Sequence, residues 1–295
     1  MPIPPLVLDD DLPELHAGLA RIRAELDVPG EHGAGAIAEA EAVAREVLAR
    51  LDATAGRTRV DARDIEFITI DPPGSRDLDQ ALHLERRPGG AFRLRYAIAD
   101  VGAFVRPGSA LDAEVWERGV TYYLPDARAP LHPAMLGEGA ASLLPDEDRP
   151  AVLWTIDLDR DGQAGVGRVE RAIVRSRAQR TYAGVQAAVD GGRAEGTEAL
   201  LAEVGPLRQA IEAERGGVSL DLPTQRVVRT DAGYGLELER VVPAMGWNAQ
   251  VSLLTGMVAA ELMVSGGVGL LRTLPPPGAE VVRTVRATAR ALGVV

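Results

Sequence analysis

Residues 69–82, which read TIDPPGSRDLDQAL, are the stretch on which the prediction of fold and function rests. An apolar, β-branched run precedes them and is typical of a strand. Pro72, Pro73 and Gly74 then break that strand and permit a tight reversal. If the chain is extended after the reversal, alternate side chains point to the same face. The stretch therefore predicts a strand and turn that gather three carboxylates: Asp71, Asp77 and Asp79.

Carboxylates crowded in this way need compensation. Two of them about 5 Å apart, at an effective dielectric constant near 20, repel by roughly 3 kcal/mol. Water, a raised pKa, an arginine or a divalent cation can relieve that repulsion. Arg76 is a nearby partner, and Mg²⁺ is a better one because hard cations prefer carboxylate oxygens. Taken alone, an acidic turn is more often solvated than metal-binding, so both interpretations stay open at this point.

Composition limits the chemistry that the chain can perform. The 295 residues are 46% hydrophobic, which is enough for one large or two smaller domains and excludes wholesale disorder. There is no cysteine, so disulfides, thiolate zinc sites and cysteine nucleophiles are excluded. The four histidines are scattered, and no pair has the i, i+4 spacing of a histidine metal site. Oxygen-ligand chemistry remains.

Charge and hydropathy bear on location and partners. The net charge is −11 and every basic residue is arginine, which argues against broad, non-specific binding to nucleic acid but leaves room for a local basic channel. The sequence shows no signal peptide and no run of about 18 apolar residues. We therefore expect a cytoplasmic protein with no membrane partner.

The pattern of periodicities predicts an α+β chain with two parts. Residues 1–58 form a short helical N-terminal segment, with helices near 15–26 and 34–51. Residues 59–295 form the main domain, a mixed sheet packed with helices. Its predicted strands lie near 65–70, 92–98, 151–158, 166–176, 225–230 and 236–241. Its predicted helices lie near 111–118, 182–189, 198–215 and 247–264, with a last one after residue 277.

The 69–82 stretch resembles the signature of the RNase II / RNase R family, which carries the RNB domain. Three further blocks resemble that family in order and at compatible spacing: YAIADV with VRPGS at 96–109, YLP at 123–125, and LLP at 143–145 closing with Asp148 and Arg149. A lone acidic loop is weak evidence, whereas four ordered blocks are strong. The resemblance implies an RNB-type mixed sheet over residues 59–295.

The resemblance also implies an activity. Enzymes of this family degrade single-stranded RNA from the 3′ end, releasing 5′-mononucleotides hydrolytically with Mg²⁺. Asp79 matches the position needed most for cleavage, while Asp71 and Asp77 match metal-site aspartates. A bound cation would neutralise the scissile phosphate and orient hydroxide for in-line attack. The expected partner is single-stranded RNA, with no obligate protein partner evident.

Aromatic and basic residues are the candidates for RNA binding. Tyr123 and Tyr182 match positions that stack on the last nucleotides, and such stacking is worth roughly 1–3 kcal/mol per base. Arg175 and Arg177 share one face of a strand and can track phosphates. Arg149 closes the last matching block. Without the resemblance, each tyrosine is more often a packing residue and a run of arginines more often a solvated face.

The chain departs from the family pattern at three points. The family motif ends in two adjacent aspartates, and the second is Gln80 here. Its carbonyl can still ligate Mg²⁺, so we expect weaker metal affinity with Mn²⁺ favoured. Where relatives carry a glutamate near the RNA 3′ end, this chain has Asn248 and Gln250, and we expect Gln250 to contact RNA. The chain also stops at Val295, so the C-terminal part of the domain is expected to be missing.

Three functions follow from these observations. The leading one is a Mg²⁺-dependent 3′→5′ exoribonuclease. The second is a catalytically impaired, RNB-like protein that binds RNA or regulates. The third is an unrelated Mg²⁺-dependent phosphohydrolase whose loop has converged on the motif, and the ordered blocks disfavour it.

Overall fold

The computed structural model describes residues 7–8, 13–217, 224–230, 233–239, 241–273, 275–291 and 293. The chain divides into two compact units, Met1–Thr255 and Gly256–Val295. The first unit holds every residue that the sequence places in a functional site.

The helices and strands predicted from the periodicities are present, together with further strands that were not predicted. The strands are β1 (Val7–Leu8), β2 (Val60–Ile70), β3 (Gln80–Arg86), β4 (Phe92–Ala99), β5 (Tyr122–Tyr123), β6 (Arg128–Ala129), β7 (Asp148–Leu158), β8 (Arg168–Arg180), β9 (Thr224–Thr230) and β10 (Gly233–Glu239). The helices are α1 (Pro13–Glu25), α2 (Ala34–Ala49), α3 (Leu51–Thr54), α4 (Ala110–Arg118), α5 (Tyr182–Asp190), α6 (Gly196–Glu214), α7 (Pro243–Gly266) and α8 (Ala279–Ala291). The predicted α+β class with a mixed sheet is confirmed.

Five strands close into a barrel in the order β2-β3-β4-β7-β8. Neighbours pair antiparallel except β2 and β8, which run parallel and close the barrel. Small side chains fill the interior: Ala81 lies opposite Ala97, and Ala151 opposite Ala172, all fully buried. A barrel of so few strands encloses little space, so alanine is the size that fits where strands face each other.

The N-terminal helices pack on the segments that follow β4. The small residues of α2, among them Ala36, Ala40 and Val43, are buried against Phe104 and Leu136. Such a face allows the helix backbone to approach its neighbours closely. Strand β1 was not predicted, since the sequence suggested only helices there; it pairs antiparallel with β10.

The acidic loop between β2 and β3 lies at one end of the barrel and is fixed there by backbone hydrogen bonds. The Asp71 N–H donates to the Arg180 carbonyl at 3.0 Å, which ties the loop to the end of β8. The Ala99 N–H donates to the Asp79 carbonyl at 2.9 Å, which ties it to the end of β4. Gly74 has a φ of 82°, a left-handed conformation that suits glycine in the reversal.

Ser142 fixes the second half of the loop through two hydrogen bonds. Its hydroxyl accepts from the Leu78 N–H at 3.0 Å and donates to the Arg76 carbonyl at 2.6 Å. Both Ser142 and Leu78 are buried. Leu78 therefore anchors the loop in the barrel core while the residues beside it stay accessible.

Replacing Ser142 by alanine is expected to lower the free energy of unfolding by about 1–3 kcal/mol, because the buried Leu78 N–H loses its acceptor. Urea unfolding followed by circular dichroism measures this. Ser265→Ala is the matched control, since Ser265 is exposed on α7 and its loss should stay within about 0.5 kcal/mol. Equal effects from the two variants would mean that Ser142 does not hold the loop.

Helix α7 begins in the core of the first unit. Trp247, Val251 and Leu254 are buried, and the Trp247 side chain fits against Gly205 of α6, where a Cβ atom would lie 2.3 Å from Trp247 Cγ. Among the described residues, α7 is the one helix whose length and composition would allow it to cross a membrane; 28% of its most apolar window is buried. Core helices share this composition, so the observation is weak evidence for a membrane partner.

Candidate active site

The three loop aspartates line two cavities. Asp77 and Asp79 line a cavity of about 260 Å³, while Asp71 and Asp79 line a smaller one of about 60 Å³. Leu78 between them is fully buried. Asp77 and Asp79 thus reach the same cavity, as the alternation of an extended chain predicts. Asp79 is the residue that both cavities share.

Asp71 and Asp79 bear the cost of crowding that the sequence predicts. Burial, together with the nearby Asp79 carboxylate, raises the pKa of Asp71 to about 6. Its Oδ2 atom is buried and makes no hydrogen bond to the described residues. Asp79 is exposed as a whole residue, but its carboxyl group is partly removed from solvent. This desolvation raises the pKa of Asp79, and the nearby Asp77 carboxylate raises it further. The pair therefore has an unmet need for positive charge.

Asp77, by contrast, already has partners. Its Oδ2 accepts from the Tyr123 hydroxyl at 3.2 Å and from Arg128 Nη1 at 3.3 Å. Arg128 also pairs with Glu138, which lines the same cavity. Arg128 was not predicted from the sequence. It reaches Asp77 because β5 and β6 form a hairpin that places Arg128 opposite Tyr123.

The smaller cavity is lined by polar groups from four elements. Gln80 begins β3, Tyr96 lies on β4, Tyr182 begins α5 and Asn248 lies on α7. The Tyr96 hydroxyl donates to Gln80 Oε1, and Asn248 Nδ2 lies 3.5 Å from the Tyr182 hydroxyl. Burial raises the pKa of Tyr96 to about 12, so this hydroxyl keeps its proton at neutral pH.

The residues fit a divalent cation held by two carboxylates. Among the described residues, no three acidic or histidine side chains converge closely enough to form a metal site by themselves. Asp71 and Asp79 nevertheless present a free, buried oxygen and a mutual repulsion that a cation would relieve. Mg²⁺ commonly binds through one or two carboxylates, with water and substrate phosphate completing its shell. A protein cage of three or more side chains is not required.

Among the predicted RNA-binding residues other than the arginines, the two tyrosines lie at the acidic loop and the glutamine of α7 does not. Tyr123 is 72% exposed beside Asp77, and Tyr182 lines the cavity of Asp71, so the structure brings both to the acidic loop. Gln250 does not reach it: the side chain is buried and its Nε2 donates to Glu212 of α6. Asn248, two residues earlier, occupies the cleft instead.

The three predicted arginines lie outside both cavities. Arg149 is buried, and its guanidinium donates to the carbonyls of Ser142 at 3.0 Å and Asp148 at 3.0 Å. Arg175 Nε donates to Asp148 Oδ1 at 2.7 Å, and Arg177 Nη2 donates to the Arg63 carbonyl at 2.6 Å. These contacts organise the chain around β7 and β8, and a contact of the three arginines with RNA stays a prediction.

Comparison with known proteins settles the family. The model of the RNB domain matches residues 59–289. This chain belongs to the RNB domain family. The recognition based on the four sequence blocks is thereby confirmed.

Individual proteins of the RNB family are similar to this chain in sequence or in fold. Ribonuclease R of Escherichia coli is 28% identical over 263 residues, 82% of this chain and 31% of that protein. The inactive exonuclease DIS3L2 of Arabidopsis thaliana is 41% identical over 135 residues, 45% of this chain and 13% of that protein. The structure of Mycoplasma genitalium ribonuclease R with ribose-methylated single-stranded RNA matches with a TM-score of 0.80 at 21% identity, over 94% of this chain and 44% of that chain. The chain thus spans less than a third of these two curated relatives and shares the RNB fold.

Proposed function

We propose that this chain carries the centre of a Mg²⁺-dependent, hydrolytic 3′→5′ exoribonuclease that releases 5′-mononucleotides from single-stranded RNA. The observation that carries the proposal is the Asp71–Asp79 pair, whose free buried oxygen faces a cleft lined by Tyr182 and Asn248. Membership of the RNB family supports RNA as the substrate. Mn²⁺ is the second candidate cation, and a cytoplasmic location stays a prediction.

Each residue has a role in this proposal. A bound cation would supply positive charge at the scissile phosphate and a more acidic water. Asp71 and Asp79 would hold it, and the hydrogen bond from the Ala99 N–H to the Asp79 carbonyl fixes the backbone that carries the Asp79 side chain. Tyr182 offers a ring on which the terminal base can stack, and Asn248 offers an amide to sugar or phosphate oxygens.

The size of the cavities supports attack on a chain end. The larger cavity holds about 260 Å³, close to the lower limit of roughly 300 Å³ for small-molecule sites. A cavity of this size suits the end of a single strand better than a duplex. Leu78, which belongs to the barrel core, lines this cavity, so the core bounds it on one side.

A second candidate is a catalytically impaired RNB protein that binds RNA without turnover. Gln80 favours it, because an amide stands where the family motif has a carboxylate. The similarity to an inactive exonuclease also fits this alternative.

One assay separates the two functions. A 5′-labelled single-stranded RNA is incubated with the protein in Mg²⁺, Mn²⁺ or EDTA, beside a circular RNA of the same sequence. The exoribonuclease proposal expects progressive shortening of the linear RNA to small 5′ fragments, an intact circle and no reaction in EDTA. Binding without shortening in either cation supports the impaired protein, and cleavage of the circle contradicts an exonuclease.

Tyr182→Ala is expected to weaken the binding of single-stranded RNA by roughly 5- to 100-fold, because the terminal base loses its stacking platform. Tyr182→Phe is the matched control: it keeps the ring and loses only the hydroxyl next to Asn248. Fluorescence anisotropy with labelled RNA in EDTA measures the two affinities without cleavage. Equal losses in both variants would assign the effect to the hydroxyl and refute stacking.

A further inference from the structure

Gln80 has a defined orientation in the cleft. It lies opposite Ile98 across the β3–β4 ladder, while Tyr96 lies opposite Leu82. Gln80 and Tyr96 are therefore diagonal neighbours, and the Tyr96 hydroxyl reaches Gln80 Oε1 as a hydrogen-bond donor. Tyr96 is 2% exposed, so packing holds its ring in place.

The chemistry of an amide then fixes what the other end of Gln80 can do. A carbonyl oxygen only accepts and an NH₂ group only donates. With the carbonyl engaged by Tyr96, the NH₂ group is the end left for the other groups of the cavity, which include Asp71 and Asp79. Asp79 directly precedes Gln80 in the chain, and both side chains line the same cavity of about 60 Å³.

In place of the metal-ligand role expected from the sequence, we propose that Gln80 is a positioning residue, held at its carbonyl by Tyr96 and donating its NH₂ group to the carboxylate of Asp79. This inference rests on the proposed function for its catalytic consequence. One oxygen of Asp79 is then fixed by the amide and the other is left for the cation. The cation would then bind to two carboxylates instead of the larger number of aspartates in the family motif. Tyr96 holds the amide that takes the place of one of those aspartates.

The first test needs neither metal nor activity. In a ¹⁵N spectrum of the metal-free protein, the Gln80 side-chain amide, assigned by its disappearance in Gln80→Ala, is expected to exchange with solvent at least about tenfold more slowly than an exposed glutamine amide. Tyr96→Phe, which removes only the hydroxyl, is expected to abolish that protection. An amide that exchanges freely in the unmodified protein, or is equally protected in Tyr96→Phe, overturns the proposal.

The second test separates positioning from ligation. Calorimetric titration measures the Mn²⁺ affinity of each variant. The affinities of Gln80→Ala and Tyr96→Phe are expected to stay within about threefold of that of the unmodified protein, whereas Asp79→Asn is expected to lose at least about 30-fold. Both of the first two variants are expected to lower kcat for RNA by about tenfold with little change in KM, and the double variant to lose no more than either alone.

A loss of Mn²⁺ affinity in Gln80→Ala as large as that in Asp79→Asn would make Gln80 a ligand and overturn the proposal. If the unmodified protein binds Mn²⁺ but cleaves no RNA, the proposed function fails, and the amide exchange and Mn²⁺ titrations still decide the role of Gln80. Thermal unfolding of each variant shows whether the barrel remains folded.

Discussion

Asp79→Asn is expected to reduce RNA hydrolysis by about a thousandfold or more while RNA binding is retained. Asp79 is the one residue that lines both cavities, so its carboxylate could contact both a cation held with Asp71 and RNA in the larger cavity. The asparagine keeps the shape but removes the charge that would hold the cation and its activated water. Single-turnover cleavage of labelled RNA, with anisotropy for binding, measures both quantities.

Asp161→Asn is the matched control for this prediction. Asp161 is exposed in the turn between β7 and β8, at the opposite end of the barrel from the acidic loop. The same loss of one charge there is expected to leave cleavage unchanged. Activity of Asp79→Asn within about tenfold of the original would contradict the role given to Asp79.

Asp71→Asn is expected to stabilise the metal-free protein at neutral pH and to weaken its response to cations. The pKa of Asp71 in the folded protein is about 6, above its ordinary value of 3.8. Between these two values the folded state binds more protons than the unfolded state, so stability falls as pH rises. Above about pH 6 the folded protein bears the full cost of an ionised Asp71, and the asparagine removes it by donating to Asp79 instead of repelling it.

The magnitude follows from the size of the shift. Two pKa units correspond to roughly 3 kcal/mol for a fully buried group, and the partial exposure of Asp71 reduces this to about 1–2 kcal/mol. Urea unfolding without cation, at about pH 4 and pH 7.5, measures the gain, which is expected only at the higher pH. Added Mg²⁺ should stabilise the original protein and not the variant. A variant that is less stable at the higher pH would contradict this account.

Local patterns in the sequence predicted most of the elements and the acidic loop. The strand before the loop, the reversal at Gly74 and the shared face of Asp77 and Asp79 all depend on neighbours in the chain. Periodicities of two and 3.6 residues report such local geometry directly. The four blocks added the fold, because their resemblance to the RNB family implies it.

Contacts between distant residues were beyond these patterns. Arg128 reaches Asp77 through the β5–β6 hairpin, whose two-residue strands are too short to show an alternating pattern in the sequence. Asn248 and Gln250 are two residues apart on α7, so their side chains point in directions about 200° apart. The sequence predicted the right segment of the helix, but Asn248 rather than Gln250 lines the cavity. Barrel closure depends on β2 and β8, whose paired residues Val60 and Ala172 are far apart in the chain.

We propose that a cation held by Asp71 and Asp79 activates RNA hydrolysis in the cavity that these two residues line. The most direct measurement follows Mn²⁺ occupancy by electron paramagnetic resonance and RNA cleavage in the same samples as Mn²⁺ is increased. The two curves are expected to rise together in the original protein, and both are expected to be lost in Asp79→Asn. Cleavage that proceeds at full rate before the site fills, or that persists in Asp79→Asn, would contradict it.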